Sequence, residues 1–238
     1  MKHLLCYSLL LLSPLCTAAS QTCATSAQCN SAGTAAYQAG RYAEAIEAFE
    51  RQLRRAESSD NAVDREVALN NLMLATLKTG QPGKARAWLE VALEAGLDGP
   101  ATRHNLAKLG ALDLQALTAS PAGLYRRYAG QAAWSTLEIS PASDGSYRAE
   151  FAPIRVGGAQ LEEWGPAAIG ELTGTLRGQN AYYHLESPEL RKDCAVELLR
   201  DGLRLRVLET FAEGCQDYGG ANISVGGRYY KVDDLARP

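Results

Sequence analysis

Gly40-Arg41-Tyr42-Ala43-Glu44-Ala45-Ile46-Glu47-Ala48-Phe49 and Gly80-Gln81-Pro82-Gly83-Lys84-Ala85-Arg86-Ala87-Trp88-Leu89 are one helical pattern written twice, forty residues apart. In the first copy Tyr42, Ala45, Ile46, Phe49 and Leu53 recur at three- and four-residue steps; in the second Ala85, Trp88, Leu89 and Ala92 do the same. That spacing lays one apolar stripe along a helix. The run Leu69, Leu72, Met73, Leu77 is also helical, so Gly80 falls between two helices, as Gly40 does. A helix there must end in a left-handed turn that a side chain would obstruct. Repeats of this length are helix pairs that bury their apolar faces by stacking, and such arrays hold partners more often than they perform chemistry.

The helical texture spans residues 24–119. Ser58-Ser59-Asp60-Asn61 is a polar loop ahead of the second pair, and Gly96-Leu97-Asp98-Gly99-Pro100 breaks the chain again before a shorter helix from Ala101 to Leu109. Pro100 suits the first turn of that helix. Counted from Ser26, the first copy supplies Gly33, Gly40, Tyr42, Ala45, Phe49 and Leu53; counted from Glu66, the second supplies Asn71-Leu72, Gly80, Ala85 and Ala92-Leu93. Asn105-Leu106 lies 34 residues beyond Asn71-Leu72. These segments resemble tetratricopeptide repeats over residues 26 to about 112. Gln52, Pro82 and Leu89 depart from that family's pattern. The resemblance implies a groove lined by the first helix of each pair. Its contact positions fall on Asn30, Thr34, Tyr37 and Gln38, on Asn70, Leu74, Leu77 and Lys78, and on His104 and Lys108. Lys78, His104 and Lys108 make part of that face basic, which suits an acidic peptide or chain terminus. Docking of the second domain into the groove is the alternative.

From residue 122 to 235 the period changes to two. Tyr147, Ala149 and Phe151 alternate with Arg148 and Glu150, and Leu203, Leu205 and Val207 with Arg204 and Arg206. Asp144-Gly145, Asp201-Gly202 and Gly178-Gln179-Asn180 sit between such runs as hairpin turns. About eight strands are expected, near 123–128, 134–140, 146–152, 168–177, 180–186, 194–200, 203–211 and 222–232. Short connections make them an antiparallel meander or small barrel. The expected class is therefore α+β in two domains, with Ser120-Pro121-Ala122-Gly123 as the junction. Gly123-Leu124-Tyr125, Gly170-Glu171-Leu172-Thr173-Gly174, and Cys215 followed by 219–229 resemble small periplasmic disulfide-bonded β modules of the lysozyme-inhibitor kind.

Residues 1–20 carry Lys2 and His3, an apolar core through Leu12, and small residues at Thr17-Ala18-Ala19-Ser20. This order is a secretory signal peptide, and its apolar part is too short for a membrane span. A periplasmic or secreted location follows. Of six cysteines, Cys23, Cys29, Cys194 and Cys215 lie beyond the cleavage site. An even number in an exported chain favours disulfides, and clustering at the two ends favours Cys23–Cys29 and Cys194–Cys215. The loop of about 20 residues closed by the second contributes roughly 3 kcal/mol in the chain-entropy view. Net charge is −3, with no basic stripe to hold nucleic acid.

No Gly-x-Ser-x-Gly, Gly-Lys-Ser loop or His-Glu-x-x-His occurs. Neither a metal nor a cofactor is expected. Glu162-Glu163 and Asp233-Asp234 are sequence neighbours whose carboxylates diverge. Tyr182, His184 and Tyr230 offer a possible ligand face at the mouth of the β domain; the plainer reading makes alternate tyrosines core. Trp134 and Trp164 are read as packing residues, and Trp88 as inter-helix core. The expected function is an exported, non-enzymatic adaptor or inhibitor-like protein of the bacterial envelope, binding a protein or peptide through the groove. The alternatives are a small-ligand carrier using the β domain and a cell-wall hydrolase.

Overall fold

The computed structural model describes residues 23–112, 114–157 and 165–234. The signal segment, Glu162-Glu163 and Trp164 lie outside them. Six helices come first: α1 (Ser26–Gln38), α2 (Tyr42–Ser58), α3 (Ala62–Lys78), α4 (Pro82–Glu94), α5 (Pro100–Gly110) and the single turn α6 (Gln115–Thr118). Gly40 and Gly80 both have φ +75°, the left-handed turn expected between paired helices. Thr25 and Gln28 form a reciprocal capping box at the start of α1. Asn61 caps α3 by accepting from the Asp64 amide, which starts that helix a full turn before Glu66.

The helical core collects Phe49, Leu53, Leu69, Leu72, Met73, Trp88 and Leu89, all at or below 3% exposure. Within the first pair α1 lies close on α2, where a Cβ on Gly33 would stand 2.4 Å from the Phe49 ring.

Ten strands follow: β1 (Gly123–Gly130), β2 (Ala133–Pro141), β3 (Tyr147–Ala152), β4 (Ile154–Arg155), β5 (Ala168–Ile169), β6 (Leu172–Gln179), β7 (Tyr182–Glu186), β8 (Val196–Asp201), β9 (Arg204–Glu209) and β10 (Gly227–Asp233). Eight form a closed antiparallel barrel in the order β1-β10-β9-β8-β7-β6-β3-β2. Every barrel strand pairs with its neighbour along the barrel, and β10 closes on β1. The expected strand at 168–177 divides: β5 leaves the barrel to pair with β4, and β6 begins at Leu172. The last strand begins five residues later than expected, because 222–226 is held by loop contacts to Glu209.

The barrel interior is filled. Tyr125, Leu137, Phe151, Leu172, Leu198, Val207 and Tyr229 form its core. One end is closed by the linker: Arg200 donates to the Thr118 carbonyl at 3.0 Å, Lys231 to Ser120 at 3.1 Å and Tyr125 to Pro121 at 2.7 Å. At the other end Arg127 donates to the Ser224 carbonyl at 2.7 Å, and Glu209 accepts from Tyr218, Ser224 and the Gly226 amide. Cys194–Cys215 ties this second closure to the start of β8, and Cys23–Cys29 pins the start of α1. Both pairings are the local ones expected from the sequence.

Candidate functional site

The barrel packs on the second helix of the second pair. Among the described residues α4 on β10 is the one extensive helix–strand contact. Ala87, Tyr230 and Val232 form its buried centre, with Leu124 and Trp134 against them. Gly83 is required there: a Cβ would stand 2.3 Å from the Val232 carbonyl oxygen. Beside it Trp88, Tyr128 and Trp134 meet edge to face, with the two indoles 4.6 Å apart. Two carboxylates of α4 flank this apolar centre. Glu90, 3% exposed, takes Arg204 from β9 at 2.8 Å and Arg86 from its own helix at 2.8 Å. Glu94 takes Arg228 from β10 at 3.1 Å.

The third anchor is a hairpin turn. Gln131 and Ala132 join β1 to β2 with φ +53° and +60°, a conformation costly for non-glycine residues. Glu57 of α2 accepts from the Gln131 amide at 2.5 Å and from the Tyr128 hydroxyl at 2.7 Å, and that hydroxyl accepts from the Ala132 amide at 3.0 Å. Burial holds the Glu57 carboxyl above its ordinary range, against those two hydrogen bonds, which lower it. Desolvation, then Glu57 itself, pushes the Tyr128 phenol well up.

The opposite face of the array, built from first helices, is free of the barrel. On α3 the buried side is Leu69, Leu72, Met73 and Thr76. Diametrically across by helical spacing run Val63, Val67, Leu74 and Lys78. Val63 is 71% exposed and Val67 39%, and Lys78 is exposed. On α1, Thr34 and Gln38 are exposed, and Tyr37 is half-buried with its ring on Tyr42 at 5.4 Å. His104 and Lys108 are exposed on α5. Asn30 is half-buried and accepts from Asn71 at 2.8 Å, which stitches α1 to α3. Leu74 and Leu77 are half-buried against the helical core.

Two site expectations need correction. Asn70 is not a groove residue. It is 4% exposed, donates to Thr102 at 2.9 Å and accepts from Asn105 at 2.7 Å. Glu66 accepts from Thr102 at 2.8 Å and completes a polar tie between α3 and α5. The groove stripe instead includes Val63 and Val67, which counting from Glu66 underweights because α3 starts at Ala62. Nor do Tyr182, His184 and Tyr230 form one ligand face. Tyr183 and Tyr229 point into the barrel, Tyr182 and His184 are exposed outside it, and Tyr230, 3% exposed, is sealed under α4. Tyr182 and Leu199 instead floor an outer depression of about 430 Å³ with Arg206 and Arg228.

The helix pairs, their glycine turns and their period decide the family of this half. Residues 24–98 are tetratricopeptide repeats, matched as such by the family model. The match ends before α5 and does not extend to the barrel. No curated protein and no solved structure matches the chain. Tetratricopeptide repeats point to protein–protein interaction. The two disulfides are compatible with an exported protein, and no helix among the described residues is long and apolar enough to cross a membrane.

Proposed function

We propose that this protein is an exported, non-enzymatic adaptor or inhibitor-like protein of the bacterial envelope, and that it holds a protein partner against the first-helix face of its tetratricopeptide repeats. One observation carries the reading: the barrel is docked on α4, so Val63, Val67 and Lys78 keep their exposure. A solvated face has no need of two exposed valines one helical turn apart, while a partner segment would cover them. Lys78 on α3 and His104 and Lys108 on α5 are exposed, and α1 carries no charge between Ser26 and Gln38. A segment with apolar side chains and acidic flanks fits this surface.

The carrier reading loses support because the barrel interior is packed with Tyr125, Phe151 and Tyr229 and closed at both ends. The groove reading is tested by replacing Thr34, Val67 and Lys78 together with alanine. Each is exposed, so the expected stability change is within about 0.5 kcal/mol per site. Crosslinking pull-down from a periplasmic extract should then lose the partner that the unaltered protein captures. Capture at unaltered affinity by a folded triple variant contradicts the groove reading.

A further inference from the structure

Three barrel arginines face the second-helix side of the array. Arg204 meets Glu90 and Arg228 meets Glu94. The third, Arg126, points outward from β1 between Leu124 and Tyr128 and meets Lys84 of α4 instead. The Arg126 side chain is half-buried at the rim of a cavity and makes no ion pair with a carboxylate among the described residues. Lys84 is half-buried too, and burial, with repulsion from Arg126, lowers its ammonium below the ordinary range. Glu50 attracts Lys84 without forming an ion pair. Asp233 borders the same space but is exposed and pairs with neither cation.

Where the like charges meet, the domains do not close. A cavity of about 210 Å³ separates them, walled on its apolar side by Leu114, Leu117, Leu124 and Val232. Elsewhere along this interface each arginine has its carboxylate and the packing is tight. Two half-buried cations side by side, without an ion pair among the described residues, are costly unless an anion completes them. We infer that this cavity binds a short-chain organic carboxylate, its head between Lys84 and Arg126 and its alkyl body against the leucines. The guanidinium offers a bidentate fork to the carboxylate, which the ammonium reinforces as a point charge. The volume restricts the ligand to a small one. The site is separate from the first-helix groove, so its failure leaves the adaptor reading standing.

Calorimetric titration of the full chain with hexanoate tests this, with acetate and inorganic phosphate as comparison ligands. Hexanoate should bind saturably, acetate more weakly because it lacks the alkyl body, and Arg126→Gln or Lys84→Gln should weaken hexanoate by about tenfold or more. Arg206→Gln, on the outer depression, should leave binding unchanged. Without ligand, Arg126→Gln should melt no lower than the unaltered protein, since it removes a repulsion, and hexanoate should raise the melting temperature of the unaltered protein more than that of the Arg126→Gln variant. Arg126→Lys keeps the charge and should keep measurable binding, which covers the case of a glutamine variant that fails to fold. Absence of hexanoate binding, binding by both glutamine variants as tight as by the unaltered protein, or a preference for phosphate over hexanoate overturns the inference.

Discussion

The two faces of the helical array differ in what their side chains are given to do. On α4 almost every position is committed: Gly83, Ala87, Trp88, Glu90 and Val91 are buried, with the barrel on one side and α3 on the other. On α3 the outward stripe of Val63, Val67 and Lys78 touches nothing of comparable extent. Burial of apolar area is the main favourable term in folding, so a face that leaves valines in water has forgone stability that a few substitutions could recover. The covered face fixes the barrel against the repeats; the uncovered one is available to a partner.

That contrast can be attacked from its strongest point downward. Trp88→Ala removes a fully buried indole that belongs to the helical core and to the aromatic cluster with Trp134. It should cost about 3–5 kcal/mol, measured by urea unfolding, and should loosen both domains together. A loss confined to one domain would mean that the covered face is a contact rather than a joint. Gly83→Ala forces a methyl against the Val232 backbone carbonyl, which cannot rotate away. The expected cost is roughly 1–3 kcal/mol, read as a lowered thermal midpoint. An unchanged midpoint would show that α4 and β10 can slide apart freely.

The smallest effect is a pH slope. Burial raises Glu57 above its ordinary value of 4.5, so the folded chain holds that proton more tightly than the unfolded one. The stability this group contributes is complete below pH 4.5 and is lost as pH rises through the raised folded value. Glu57→Gln keeps an acceptor for the Gln131–Ala132 turn and cannot ionise. Urea midpoints taken between about pH 4 and 7 should fall with pH in the unaltered protein and fall less steeply in the variant. Equal slopes would remove Glu57 as the titrating anchor of the joint.

Most of the fold was legible because its determinants are local. Apolar spacing gives the helix pairs, Gly40 and Gly80 give their turns, and period-two runs give the barrel strands. The turn at Gln131-Ala132 follows Gly130, but its own two left-handed residues are neither glycine nor asparagine; Glu57, 74 residues away, holds the Gln131 amide. Asn70 looked like a groove residue by position; what buries it, Thr102 and Asn105, lies 32 and 35 residues on. Tyr230 alternates correctly to the outside of β10, but outside there means α4. The choice of which helix face the barrel covers is a long-range property, and no spacing within either domain encodes it.

The central claim is that a partner lies along Val63 and Val67 and not on the barrel. Its most direct test places a photoreactive residue at position 67 in one variant and at exposed Tyr182 in another, followed by irradiation in intact cells and mass spectrometry of the adducts. A discrete partner crosslinked from position 67 and absent from position 182 is the predicted result. A partner captured from position 182 alone would contradict it and move recognition to the barrel's outer face.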